Sequence, residues 1–236
     1  MRLAVLFVSV FVLLVSPAFG DTVALTFTSL TGSTGGSPAA TGVYRADLSG
    51  IGLAQILSIT IADSSGGLGG ANGQFSGFDL DGIKLSTTSC DSAACAAGLS
   101  GLSVFDFGGG AVFTPGAQRP VADPKLFGTG PAGNTVDNAV ATLGAFDGNS
   151  TTAIPGAFGF LSMGDNGVLS FNLTSATSTS GLYLYIGEVG DNGEVAAGRT
   201  TVSTTRVPEE PFVLSFLVSL LGAGGLLRTT AFRRRT

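Results

Sequence analysis

The sequence predicts an all-β body, an antiparallel sandwich or barrel, set between two apolar terminal segments. Three observations carry this expectation. Apolar and polar residues alternate in QILSITIAD, VLSFNLT and GLYLYIGEV, the period of two that a half-buried strand requires. Thirty-seven glycines, together with Asn, Asp and Ser, separate these short runs, the punctuation of sandwiches and barrels. Helical periodicity is scarce outside the termini.

The elements follow in chain order. MRLAVLFVSVFVLLVSPAFG has a basic residue, Arg2, an apolar stretch from Leu3 to Val15, and small residues at Ala18 and Gly20. That pattern predicts a helical signal peptide over residues 1–20, cut before Asp21. A second transmembrane helix is the alternative, but the apolar stretch is short and Pro17 follows it. The secreted body then runs over 21–206, enough for one sizeable domain or two small ones.

Within it, VALTFTSL and GVYRADLS are the first candidate strands. QILSITIAD places Leu57, Ile59 and Ile61 on one face and Ser58 and Thr60 on the other. In FDLDGIKLS the apolar parity changes after Gly82, from Phe78 and Leu80 to Ile83 and Leu85. A glycine bulge would absorb that one-residue offset. Asp79 and Asp81 stand on the opposite face from Phe78 and Leu80. They either bind a hard cation such as calcium, which takes roughly six to eight oxygens, or face water. No other cofactor is expected.

LSVFDF, AFGFLSM, VLSFNLT and GLYLYIGEV complete the strand candidates. Asp165-Asn166-Gly167 and Asp191-Asn192-Gly193 read as type I′ hairpin turns rather than as calcium loops, since neither continues into an EF-hand. The Pro-containing stretch Thr114 to Asn134 either divides the body into two domains or forms one long surface loop.

Composition narrows the function. In 21–206, six cations stand against fourteen anions, a net charge of −8, so no nucleic acid partner is expected. The chain has no histidine, which removes Ser-His-Asp and Cys-His catalysis in their usual forms. It has no tryptophan. The candidate stacking surface for sugar rings is therefore tyrosine, with Tyr183 and Tyr185 on the outward face of one strand. Cys90 and Cys95 in CDSAAC predict a local disulfide in an exported protein. No third cysteine or histidine could complete a zinc site.

The C-terminus reads VPEEPFVLSFLVSLLGAGGLLRTTAFRRRT. Phe212 to Leu227 carries no charge, close to the roughly 17–25 apolar residues of a single transmembrane helix. Arg228, Arg233, Arg234 and Arg235 would hold its far end in the cytoplasm. A buried terminal helix could be equally apolar but would not normally end in such a cluster. The order Val207-Pro208-Glu209-Glu210-Pro211, apolar helix, arginines over 207–236 resembles the PEP-CTERM sorting signal, with one Glu more than the family's Pro-Glu-Pro core. The resemblance implies recognition by exosortase, a membrane-embedded cysteine protease of bacteria that make extracellular polysaccharide. A second resemblance covers VDNAVATLGAFDG, GFLSMGDNGVLSFNL and LYLYIGEVGDNGE. It is to the secreted, jelly-roll-like β-sandwich domains of many PEP-CTERM proteins, and it implies carbohydrate contact.

The resulting expectation is an exported, non-catalytic envelope or matrix protein, delivered by the secretion translocon and associated with exopolysaccharide. The precursor would sit in the inner membrane with its body in the periplasm. The mature form would lie in the cell envelope or outside it. A carbohydrate-binding module is the alternative. A polysaccharide hydrolase is another, and it would need two positioned carboxylates, drawn from Glu188 and one of Asp79, Asp81 or Asp165.

Overall fold

The computed structural model describes residues 20–36, 38–64, 66, 71–150, 159–190 and 199–208. The expected signal helix (Gly20 apart), Glu209, Glu210, Pro211, the 212–227 helix, Arg233, Arg234, Arg235 and the Asp191-Asn192-Gly193 turn lie outside these residues. Among the described residues no helix is long and apolar enough to cross a membrane.

Twelve strands form among the described residues: β1 (Thr22–Ala24), β2 (Thr28–Thr34), β3 (Pro38–Ala39), β4 (Thr41–Asp47), β5 (Gln55–Ala62), β6 (Asp79–Ser86), β7 (Ala111–Thr114), β8 (Asn149–Ser150), β9 (Leu161–Ser162), β10 (Val168–Ser178), β11 (Tyr183–Val189) and β12 (Arg199–Ser203). The first sheet has the order β1-β12-β5-β10-β7 and the second β2-β4-β11-β6-β9. Strands β3 and β8 form a separate ribbon. All these pairings are antiparallel. The body is thus a β-sandwich, as the alternation predicted.

The core lies between the inner faces. Ile59, Ile61, Leu169 and Phe171 come from the first sheet, and Leu80, Ile83, Leu85, Leu184 and Ile186 from the second. Removing such side chains from water is the main favourable term in folding, about 1.5–3 kcal/mol for each large apolar residue. Both sheets draw strands from before and after 114–134. That stretch is bonded to the sandwich by Gly116 N to Met163 O and by Phe127 N to Gln74 O. Within it Leu126 joins the core and Thr129 is buried.

Four local expectations change. In β5 the core residue is Ile56 rather than Leu57. The β10 register skips from Asn172, opposite Ser58, to Thr177, opposite Ile56, and this irregularity reverses the parity of the strand's beginning. LSVFDF is not a strand. It crosses between the sheets, with Leu102 N bonded to Leu85 O of β6 and Thr174 N of β10 bonded to Val104 O. Asn166-Gly167 does not close a hairpin, because β9 and β10 belong to different sheets. Asn166 alone takes the left-handed conformation, at φ 64°, in a turn closed by Gly167 N to Gly164 O. Finally, the body contains two short helices, α1 (Ala93–Gly98) and α2 (Asn138–Ala141), where helices were expected mainly at the ends.

The bulge predicted at Gly82 is present. Gly187 pairs with Gly82 but Glu188 with Leu80, which leaves Asp81 as the extra residue. Ile83 and Leu85 thereby regain the core face.

Candidate functional site

Three places bring the chemistry-bearing residues together. The first is the outer face of the second sheet. Here β11 alternates as expected, with Leu184 and Ile186 inward and Tyr183 and Tyr185 outward. The segment between β6 and β7 folds back over that face. The Cys90–Cys95 disulfide (Cα atoms 5.6 Å apart) and α1 lie within it. Tyr185 is consequently 0% exposed. Its hydroxyl accepts from Cys90 N at 2.9 Å and donates to Thr88 O at 2.7 Å. Burial raises its pKa, opposed by the hydrogen bond from Cys90. A ring enclosed in this way offers no face to a sugar, which corrects the expectation for Tyr185. Tyr183 is half-buried, and the Arg45 guanidinium lies 5.7 Å from its ring centroid.

Two cations hold the covering segment. Arg45 Nη1 donates to Ser89 Oγ, Cys90 O and Asp91 Oδ1 at 2.7–2.8 Å. Lys84, 5% exposed, donates to Ala97 O and Leu99 O at 2.9 Å and reaches Ala96 O at 3.4 Å. These carbonyls close α1, so the ammonium caps the negative end of the helix. Burial lowers the Lys84 pKa, against the opposing effect of Asp81.

The second place is the bulge. Asp79 accepts from Ser162 Oγ at 2.5 Å, on the β9 side. Asp81 instead accepts from Thr41 Oγ1 at 2.6 Å, on β4, and from Gly148 N at 2.9 Å. The carboxylate that the fold joins to Asp81 is Asp147, not Asp79. Burial pushes the Asp81 pKa well above the ordinary carboxylate value, and the negative charge of Asp147 adds to this against the Thr41 and Gly148 bonds. Burial also raises Asp147, while the bonds from Thr142 Oγ1 at 3.2 and 3.3 Å oppose it. Both shifts favour the protonated carboxyl, because burial and a neighbouring like charge disfavour the ionised form. Among the described residues, no group of three Asp, Glu, His or Cys is arranged to hold a metal ion. Glu188 is fully buried on β11, opposite Gly42 and Leu80. Asp165 accepts from Arg119, from Nη2 at Oδ1 (2.7 Å) and from Nε at Oδ1 (3.0 Å) and Oδ2 (3.1 Å).

The third place is where the chain leaves the sandwich. After β12 ends at Ser203, residues 205–207 run along the outer side of β10. Asn172 Nδ2 donates to Val207 O at 2.9 Å, and Val207 N donates to Asn172 Oδ1 at 2.8 Å. An open groove of about 580 Å³ lies here, lined among others by Asp106, Gly110, Asn172, Arg206 and Pro208.

Of the residues singled out in the sequence, the structure joins Cys90 to Cys95 and fixes Tyr185, Val207 and Pro208 against the body or beside it. Asp79 is bonded to Ser162 on β9 and Asp81 to Thr41 on β4. Arg45, Lys84, Asp147 and Asn172 were not anticipated; Arg45, Asn172 and the Asp81–Asp147 contact join positions 35 or more apart, which alternation within one strand does not report. Compared with known families, curated proteins and solved structures, the chain gives no match.

Proposed function

We propose that this is an exported, non-catalytic envelope or matrix protein. Its jelly-roll body is delivered by a PEP-CTERM-type signal, released by an exosortase-type protease, and associated with exopolysaccharide. The observation that carries the reading is the exit of the chain. The last described strand, β12, is already paired on both sides, with β1 and β5, before the VPEEP motif begins. The motif therefore begins beyond the last described strand, with its first residue, Val207, bonded to Asn172. The interlaced orders β1-β12-β5-β10 and β4-β11-β6-β9 support the jelly-roll form, which is built from two Greek keys.

Among the described residues, the exit groove is lined by one carboxylate, Asp106, whereas glycoside hydrolysis uses two. Asp165 is bonded to Arg119, and Asp81 is buried beside Thr41 and Gly148.

The precursor sits in the inner membrane, with the apolar run setting depth and the arginines fixing its cytoplasmic end. Proline disfavours helix in the residue before it, so Pro208 favours an extended Val207, the form a protease accepts. The test is an epitope-tagged body followed by immunoblot in hosts with and without the exosortase. Replacing Pro208 and Glu209 by alanine should leave export intact and accumulate membrane-bound precursor. A mature size that does not change when the protease is absent would refute the sorting role.

A further inference from the structure

We propose that Asn172, Ser58 and the bulged part of β10 form a docking site for the exit segment Thr205–Val207. The body itself, and not the motif alone, then fixes where the chain becomes available to a protease. The inference rests on the sorting reading for its biological purpose, but the docking stands on contacts of its own.

Each of the three residues is held. Ser58 Oγ donates to Thr205 O at 2.7 Å. Arg206 Nη2 donates to Leu173 O at 2.9 Å and to Thr174 O at 3.2 Å. The Asn172 carboxamide engages both the N–H and the C=O of Val207. This last pattern is the reciprocal exchange by which one strand residue grips another, supplied here by a single side chain.

The sheet is shaped to allow it. Residues 173–176 have no register partner on β5, and Arg206 takes two carbonyls of that stretch. Gly110 lies so close that an added Cβ would stand 2.9 Å from Asn172 O, while Asn172 N donates to Gly110 O at 2.7 Å. These contacts seat the strand that carries Asn172, and the side chain is left 8% exposed beneath the exit segment.

A protease binds its substrate as an extended strand through the same backbone groups. Those of Val207 are already occupied. Cleavage therefore falls C-terminal to Val207, and Thr205–Val207 stay with the mature body as its docked end.

The test uses the full chain in detergent micelles, digested with subtilisin, with the rate of cutting at bonds within 204–207 followed by mass spectrometry. Wild type should be cut there at least about ten-fold more slowly than a free peptide of the same residues, because cutting follows the open population. Arg206→Ala and Asn172→Ala should both approach the peptide rate while the β-type circular dichroism is retained. Arg206→Ala changes only the exit segment, so it decides the matter even if Asn172→Ala fails to fold. Wild type cut as fast as the peptide, or Arg206→Ala as protected as wild type, would overturn the docking site. In a host with the exosortase, a mature C-terminus before Thr205 would overturn the boundary. Absence of any processing there counts against the sorting reading and leaves the subtilisin result intact.

Discussion

Replacing Tyr185 by phenylalanine keeps the buried ring and removes only its hydroxyl. Two hydrogen bonds go with it, to Cys90 N and Thr88 O. They do not cost the same. Thr88 is exposed, so water can replace the phenol at its carbonyl. Cys90 is 1% exposed, so its N–H is left without a partner. A lost hydrogen bond costs about 1 kcal/mol, and an orphaned buried donor about 1–3 kcal/mol. Tyr185→Phe should therefore destabilise the protein by roughly 2–3 kcal/mol. Urea unfolding followed by circular dichroism measures this as a lower midpoint at unchanged slope. Tyr183→Phe, at a half-buried position, should stay within about 0.5 kcal/mol of wild type. If Tyr185→Phe were equally mild, the hydroxyl would not be what pins the covering segment, and the argument from its two bonds would be wrong.

Two further outcomes follow from the same surroundings. Reducing the Cys90–Cys95 bridge should cost about 2 kcal/mol, the low end for so short a loop; intact mass with and without reductant verifies the bridge, and the unfolding midpoint gives the cost. Asp81 and Asp147 have raised folded-state pKa values, so both states are protonated in strong acid and the unfolded chain ionises first as pH climbs past the ordinary 3.8. The pair therefore favours the folded state below that value, and this contribution is lost as pH rises toward the folded-state pKa. Asp81→Asn should match wild type near about pH 3 and be the more stable at neutral pH, as thermal melts across pH would register. The reverse order at neutral pH would refute the buried acid pair.

What was legible in the sequence was the pleat. Alternation placed Leu169, Phe171, Leu184 and Ile186 inward correctly, and the parity change in FDLDGIKLS gave the bulge at Asp81-Gly82, because period and offset are properties of one strand. What lay hidden was anything a second segment decides. Leu57 and Ile56 exchange roles because β10 skips residues opposite them. LSVFDF has a strand's composition, but its backbone bonds go to both sheets in turn. Tyr185 faces outward as read, yet a segment about a hundred residues earlier in the chain covers it. The approach of Phe146 to the sheet is of the same kind. Gly82 and Gly187 stand opposite each other, and a Cβ on either would lie within 2.9 Å of its ring. Alternation in one strand cannot report that pairing.

The strand order also bears on timing. The last two described strands do not add to the edges: β12 enters between β1 and β5, and β11 between β4 and β6. Neither sheet can be continuous until residues 183–203 are present. A chain that passes through a membrane N-terminus first would emerge with β1 apart from β5 and with β4 apart from β6, and pairing at such sequence separation is slow to form in any case. The strand that closes the first sheet arrives just ahead of the apolar run that would halt transfer, so the arrest of the chain and the locking of its fold would fall almost together.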